Sequence, residues 1–208
     1  MEDTTKISCR AFADLLSSAS PAPGGGGASA LVGALAASLG SMVANLTLGK
    51  KSYESVEAEM QACKAQCENL RDALLDLVRA DAECFLPLAA SYAMAKDDPN
   101  RAQNLENALE TACTAPLAIM EQCRNVIDLS ARLEKIGSRL ALSDVGCCAS
   151  LAKAALESAS LNIFINTKSM QNRAKAAALE SRAAELLKSG EKAARVFESV
   201  QSALKGEP

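Results

Sequence analysis

The sequence predicts an all-α protein: a single-domain bundle of about six long helices with proline kinks, dimerising through helices. Three observations lead there. Hydrophobic residues make up 49% of the chain, yet aromatics are only 3% and Trp is absent, so the apolar mass is Ala and Leu. Ala has the best helix propensity and lets helix axes approach closely. Apolar residues recur at helical spacing through long stretches, and no repeat or low-complexity linker divides the chain, so 1–208 reads as one domain. Only Asn162-Ile163-Phe164-Ile165-Asn166 could pass for a strand in isolation.

The elements follow in order. Ser8 can cap a first helix over 9–18, with Phe12, Leu15 and Leu16 inward. Pro21 and Pro23 stop it, because Pro fixes φ and lacks an N–H. Gly24-Gly25-Gly26-Gly27 then lead into an apolar helix over 28–48. That run is long enough to span a membrane, but its Ser, Gly, Asn and Thr content favours a buried central helix. Gly33 and Gly40 fall nearly on one face, where a backbone could approach within the chain or across a subunit interface.

Gly49 ends that helix, and periodicity resumes over 56–96 with Met60, Cys63, Cys67, Leu70, Leu74, Leu77 and Val78 inward. Pro87 should kink it. Asp97-Asp98-Pro99 starts the next helix, which runs to 135 with a second kink at Pro116 and an end at Gly137. Ser143-Asp144 can cap a helix to 166, and a last amphipathic helix fills 172–204.

Composition also narrows function. The net charge is −3, and no basic stripe with interleaved aromatics suggests nucleic-acid binding. The acidic start Met1-Glu2-Asp3 with no apolar run after it argues against a secretory signal, and with eight Cys it suggests free thiols in a reducing cytoplasm. There is no His and no Cys-x-x-Cys, so no metal site is expected.

Several residues could carry chemistry. Glycines that open a helix expose N–H donors and positive dipole character, a seat for an anion or a carbonyl-rich ring; the alternative is a tight turn with close packing. Lys50 and Lys51 suit a helix C-terminus or an anionic ligand tail. With no His, acid/base candidates are carboxylates, Lys, Tyr and Cys. Asp81 is flanked by apolar positions just before Pro87; burial there would raise its pKa toward neutrality. Asp144 reads equally as a helix cap or a ligand group. Asn162 and Asn166, one turn apart, could tie helices together or read a ring edge. On one straight helix Asp144 and Asn162 lie about 27 Å apart. They then cannot both touch one reacting atom.

Taken together, Pro-Ala-Pro-Gly-Gly-Gly-Gly-Ala-Ser-Ala (21–30), the segment 40–53, Asp81-Ala82-Glu83-Cys84-Phe85, Ala115-Pro116-Leu117, Ser143-Asp144-Val145-Gly146 and Asn162–Asn166 resemble the formimidoyltetrahydrofolate cyclodeaminase / methenyltetrahydrofolate cyclohydrolase family. The resemblance covers essentially the whole chain. It implies an all-helical, dimeric, cytoplasmic enzyme that acts on the one-carbon unit of tetrahydrofolate, with a separate formiminotransferase as a partner. The expected reaction is 5-formiminotetrahydrofolate to 5,10-methenyltetrahydrofolate with release of ammonia. The alternatives are hydrolysis of the methenyl compound to 10-formyltetrahydrofolate or a non-catalytic folate-binding helical dimer. It further implies that Asp81 and Asp144 are catalytic, and that Pro23, Gly24, Gly25, Gly26, Gly27, Ser29, Lys50, Lys51, Asn162 and Asn166 bind substrate. Gly27 stands where Ser is common in the family, Phe164 where Arg is common, Thr167 where Leu is common, and Ser138 where Asn is common.

Overall fold

The computed structural model describes residues 3–206, all helices and connections, with no strand among them. Met1 and Glu2, part of the leader argument, and Glu207 and Pro208 lie outside the described residues. The helices are α1 (Cys9–Leu16), α2 (Gly25–Asn45), α3 (Glu57–Ala93), α4 (Arg101–Ala112), α5 (Thr114–Ile136), α6 (Leu142–Thr167), α7 (Arg173–Leu187) and α8 (Ser189–Lys205). Ser8 caps α1 as expected, its hydroxyl accepting the Ala11 N–H at 3.1 Å.

The central element is α2, packed against α3, α6 and α5. Its Ala30, Ala36, Ala37, Val43 and Ala44 are fully buried. It is long and apolar enough to cross a bilayer, but 61% of its most apolar window is buried inside the protein. Two of its hydroxyls bond back to their own helix: Ser29 to the Gly25 carbonyl at 2.6 Å, Ser38 to Ala34 at 2.8 Å. Gly33 and Gly40 face neighbours within the chain. A Cβ on Gly33 would lie 3.0 Å from Cys123 Sγ, and one on Gly40 2.7 Å from Cys67 Sγ.

Five cysteines, Cys63, Cys67, Cys113, Cys123 and Cys148, are buried in this packing. Burial pushes the Cys67 thiol up to about 12 and Cys113 to about 11, so they serve as small apolar side chains. A second, smaller core of Leu88, Ala108, Leu109, Ala112, Met170 and Ala176 joins the end of α3 to α4 and the α6–α7 connection.

Several boundaries differ from the sequence reading. The helix expected to start at Asp97-Asp98-Pro99 begins at Arg101, after Asn100. The central helix starts at Gly25 rather than 28, because the glycines themselves form its first turn. The stretch 97–135 is two helices that break at Cys113, so Pro116 lies in the first turn of α5, where a missing N–H loses no intrahelical bond. α6 begins at Leu142 after Ala141, which places Asp144 inside its first turn rather than at its cap. The stretch 172–204 divides at Lys188, and α8 turns back so that Val200 packs on Gly146. Pro87 sits within a continuous α3, its carbonyl accepting the Ser91 hydroxyl at 2.8 Å.

Candidate active site

Where α2 begins, four elements converge. The start of α2 brings Gly24, Gly25 and Gly26; α3 brings Asp81, Ala82 and Phe85; the α4–α5 junction brings Ala112 and Pro116; the end of α6 brings Asn162, Ile165 and Asn166. With Pro21 and Ala22 they line a cavity of about 240 Å³. Phe85, Pro116 and Ile165 give the lining its large apolar groups, and Asp81, Asn162 and Asn166 its carboxylate and two amides.

The position of Asp81 follows from helix geometry. Val78 and Ala82 are buried in the bundle, so the α3 face they share carries Asp81 to the edge of the core. Burial pushes its carboxyl above the ordinary carboxylate range, against the Gly27 backbone N–H, which donates to it and favours the ionised form. Glu83, two residues on, is exposed and pairs with Arg79 at 3.6 Å. Asp81 is therefore the carboxylate of this pocket.

The ladder of α2 closes first from the Ala28 N–H to the Gly24 carbonyl at 3.0 Å. The N–H groups of Gly25, Gly26 and Gly27 precede that bond and point out of the helix start. None of the four glycines has a positive φ; Gly49 and Gly206 are the residues that do among those described. Close approach, rather than backbone strain, is what the run provides.

The two asparagines divide their roles. Asn166 Nδ2 donates to the Ala112 carbonyl at 3.3 Å and ties α6 to the end of α4. Asn162 Nδ2 donates at 3.2 Å only to the Ser158 carbonyl of its own helix, and its amide lies beside Gly25. Of the two amides, Asn162 is thus the one not tied to another helix.

Residues 8–185 match the family described as Formiminotransferase-cyclodeaminase. The chain belongs to that family. A methenyltetrahydrofolate cyclohydrolase of Methylorubrum extorquens is 39% identical over 199 residues, covering 92% of this chain and 94% of that protein. The formimidoyltransferase-cyclodeaminase of Rattus norvegicus is 30% identical over 167 residues, and the match spans 31% of its length. The solved formiminotetrahydrofolate cyclodeaminase of Thermotoga maritima shares 28% identity with a TM-score of 0.83, over 98% of both chains.

Measured against the residues singled out from sequence, the pocket gathers Asp81, Gly24, Gly25, Gly26, Asn162 and Asn166. Pro23 and Gly27 stand behind it: a Cβ on Gly27 would lie 3.3 Å from the Pro23 ring. Ser29 lines an adjoining groove between α2 and α6. Asp144 stands apart from the pocket within one chain. It lies at the opposite end of α6 from Asn162, about 27 Å away by helical rise, and is not among the lining residues. Lys50 and Lys51 also stand apart. They follow the far end of α2 and line a separate hollow with Glu54 and Glu57, and Lys50 Nζ donates to Ser138 Oγ at 3.0 Å. The length of α2 keeps them away from this pocket within one chain.

Phe85, Pro116 and Ile165 were not singled out as site residues. Phe85 was the legible one, one helical turn beyond Asp81 on the same face. Among the described residues no cluster of three or more Cys, Asp or Glu is placed to hold a metal ion.

The buried carboxylate has a stability consequence. Its pKa is raised on folding, so its favourable contribution is present below the unfolded pKa and is lost as pH rises through the folded one. Asp81→Asn keeps an acceptor for the Gly27 N–H and carries no charge. It is expected to raise the thermal midpoint near neutral pH, with the gain shrinking toward pH ~4. Thermal melts followed by circular dichroism across that range test this; a constant gain at every pH would contradict it.

Proposed function

We propose that this protein hydrates 5,10-methenyltetrahydrofolate to 10-formyltetrahydrofolate, with Asp81 moving the proton. The observation that carries the reading is an isolated carboxylate, raised by burial and seated against the start of α2, in a pocket it shares with apolar side chains. A flat pterin would lie against Phe85, Pro116 and Ile165, with the Asn162 amide in the same lining. The cavity is below the ~300–1,000 Å³ of typical whole-ligand sites, so the benzoylglutamate tail extends outside it.

In the forward step a water oxygen bonds to the methenyl carbon and gives a proton to the Asp81 carboxylate. The carbon–N5 bond then breaks, N5 receives that proton from Asp81, and the hydroxyl proton of the intermediate passes to solvent. The balance is methenyl cation plus water giving the formyl product and one proton. A carboxyl with a raised pKa suits both halves of this transfer. The end-to-end likeness to the cyclohydrolase relative favours this direction.

The Thermotoga fold match favours a second reading, in which N10 attacks the formimino carbon of 5-formiminotetrahydrofolate and gives its proton to Asp81. Asp81 returns that proton to the leaving nitrogen, a second comes from solvent, and the carbon–nitrogen bond breaks to release ammonia. In that reading a formiminotransferase supplies the substrate. Methenyl absorbance separates the two: it falls when the protein is given methenyltetrahydrofolate under hydrolysis, and rises with ammonia release from the formimino compound. No change beyond the uncatalysed rate with either substrate would remove both.

We also infer a homodimer. On the outer side of α2, Leu35, Met42 and Leu46 are 52%, 41% and 44% exposed, and Leu161 of the neighbouring α6 is 66% exposed. A second copy with the same face would cover this stripe. Leu35→Glu is expected to convert a dimer to a monomer by light scattering, and a monomeric wild type would remove the inference.

A further inference from the structure

The four consecutive glycines do not have the same surroundings. A Cβ on Gly24 would meet nothing within 4 Å, and one on Gly25 would meet only the Asn162 amide, at 3.8 Å. A Cβ on Gly26 would lie 2.1 Å from Asp81 Oδ1 and 2.5 Å from both Cγ and Oδ2. All of its nearest neighbours belong to that single side chain. Gly26 has no left-handed backbone that would itself require glycine. What excludes a side chain at 26 is the carboxylate, which lies against the first turn of α2 while the next residue, Gly27, donates its N–H to it.

We propose that Gly26 is a positioning residue for Asp81: its bare Cα leaves the slot that seats the carboxylate against the start of α2 and aims it into the pocket. The proposal rests on the reading of Asp81 as the proton-transfer group and deepens it. A methyl group at 26 and the seated carboxylate cannot occupy the same space. Asp81 would rotate out, losing the Gly27 N–H and its place beside the one-carbon unit. The glycines thus divide in function: 24 and 25 leave room for the ligand, and 26 leaves room for the catalytic side chain.

The test is a cycle of the wild type, Gly26→Ala, Asp81→Ala and the double variant. Thermal midpoints come first, because they need no substrate. Gly26→Ala is expected to shift the midpoint less favourably with Asp81 present than in the Asp81→Ala background, where the obstructing group is gone. An equal shift in both backgrounds overturns the proposal, as does a double variant that folds no better than a failing Gly26→Ala.

Turnover follows. Gly26→Ala is expected to lower kcat by about 100-fold or more with KM within about threefold, and to add little to Asp81→Ala. Gly25→Ala, at the ligand side of the same turn, is expected to act on KM. The acid limb of the kcat–pH profile should move to lower pH in Gly26→Ala, because a carboxylate displaced into water titrates normally. An unmoved limb with wild-type kcat overturns the proposal. If wild type turns over neither folate, the proton-transfer reading fails, while the thermal cycle still decides whether Gly26 seats Asp81.

Discussion

Replacing Asp81 with Asn is expected to lower kcat by about 10²–10⁴-fold while KM changes little. The expectation follows from what the substitution keeps and what it removes. Asn has the shape of Asp and can still accept the Gly27 N–H, so the pocket and the glycine turn keep their form. It cannot take a proton from water or return one to N5. No second carboxylate stands nearby to substitute: Glu83 is exposed and paired with Arg79, and Asp144 is at the other end of α6. The chain has no His. A loss of that size corresponds to about 3–5 kcal/mol of transition-state stabilisation. Steady-state kinetics with the preferred folate, alongside a binding measurement, is the check. Turnover within a few-fold of wild type would remove Asp81 from the mechanism. Together with the expected gain in stability near neutral pH, the variant would trade activity for stability at a single carboxylate.

Leu74→Ala is expected to destabilise the fold by about 2–5 kcal/mol. Leu74 on α3 is fully buried, and its methyls stand 3.2 and 3.3 Å from where a Cβ on Gly33 would be. Ala leaves a cavity between α3 and α2 that the surrounding helices cannot collapse into, because both are anchored along their lengths. The lost methyl groups face a glycine, which has no side chain of its own to fill the space. For a chain of this size the thermal midpoint should fall about 2–4 °C per kcal/mol. Urea unfolding gives the free energy directly; a midpoint unchanged within error would show that the α2–α3 contact contributes little. Because α3 also carries Asp81, partial loss of activity near the melting region should accompany the loss of stability.

Much of the fold was legible in the sequence because helical periodicity is local. The inward faces of α3 and α6, the Ser8 cap and the burial of α2 follow from residues three and four apart. The boundaries that were missed depend on distant partners. Gly25, Gly26 and Gly27 have poor helix propensity, yet they form the first turn of α2, where Asp81 and Val78 of α3 lie against it. Cys113 and Lys188 end helices where the chain must turn back onto α6.

The candidate site was legible in part, for the same reason. Asp81 could be picked out by its apolar flanks, and the glycine run by its composition. By itself the sequence determined the helical class, Asp81 and Asp144 as acid/base candidates, and the family resemblance. Only the tertiary structure decided which of these residues meet. It put Asn162 beside Gly25 and Asp81 on Gly26, and it kept Asp144, Lys50 and Lys51 away. The physical reason is that helix rise carries residues of one helix far apart, while packing brings residues of different helices together, and a sequence pattern records the first but not the second.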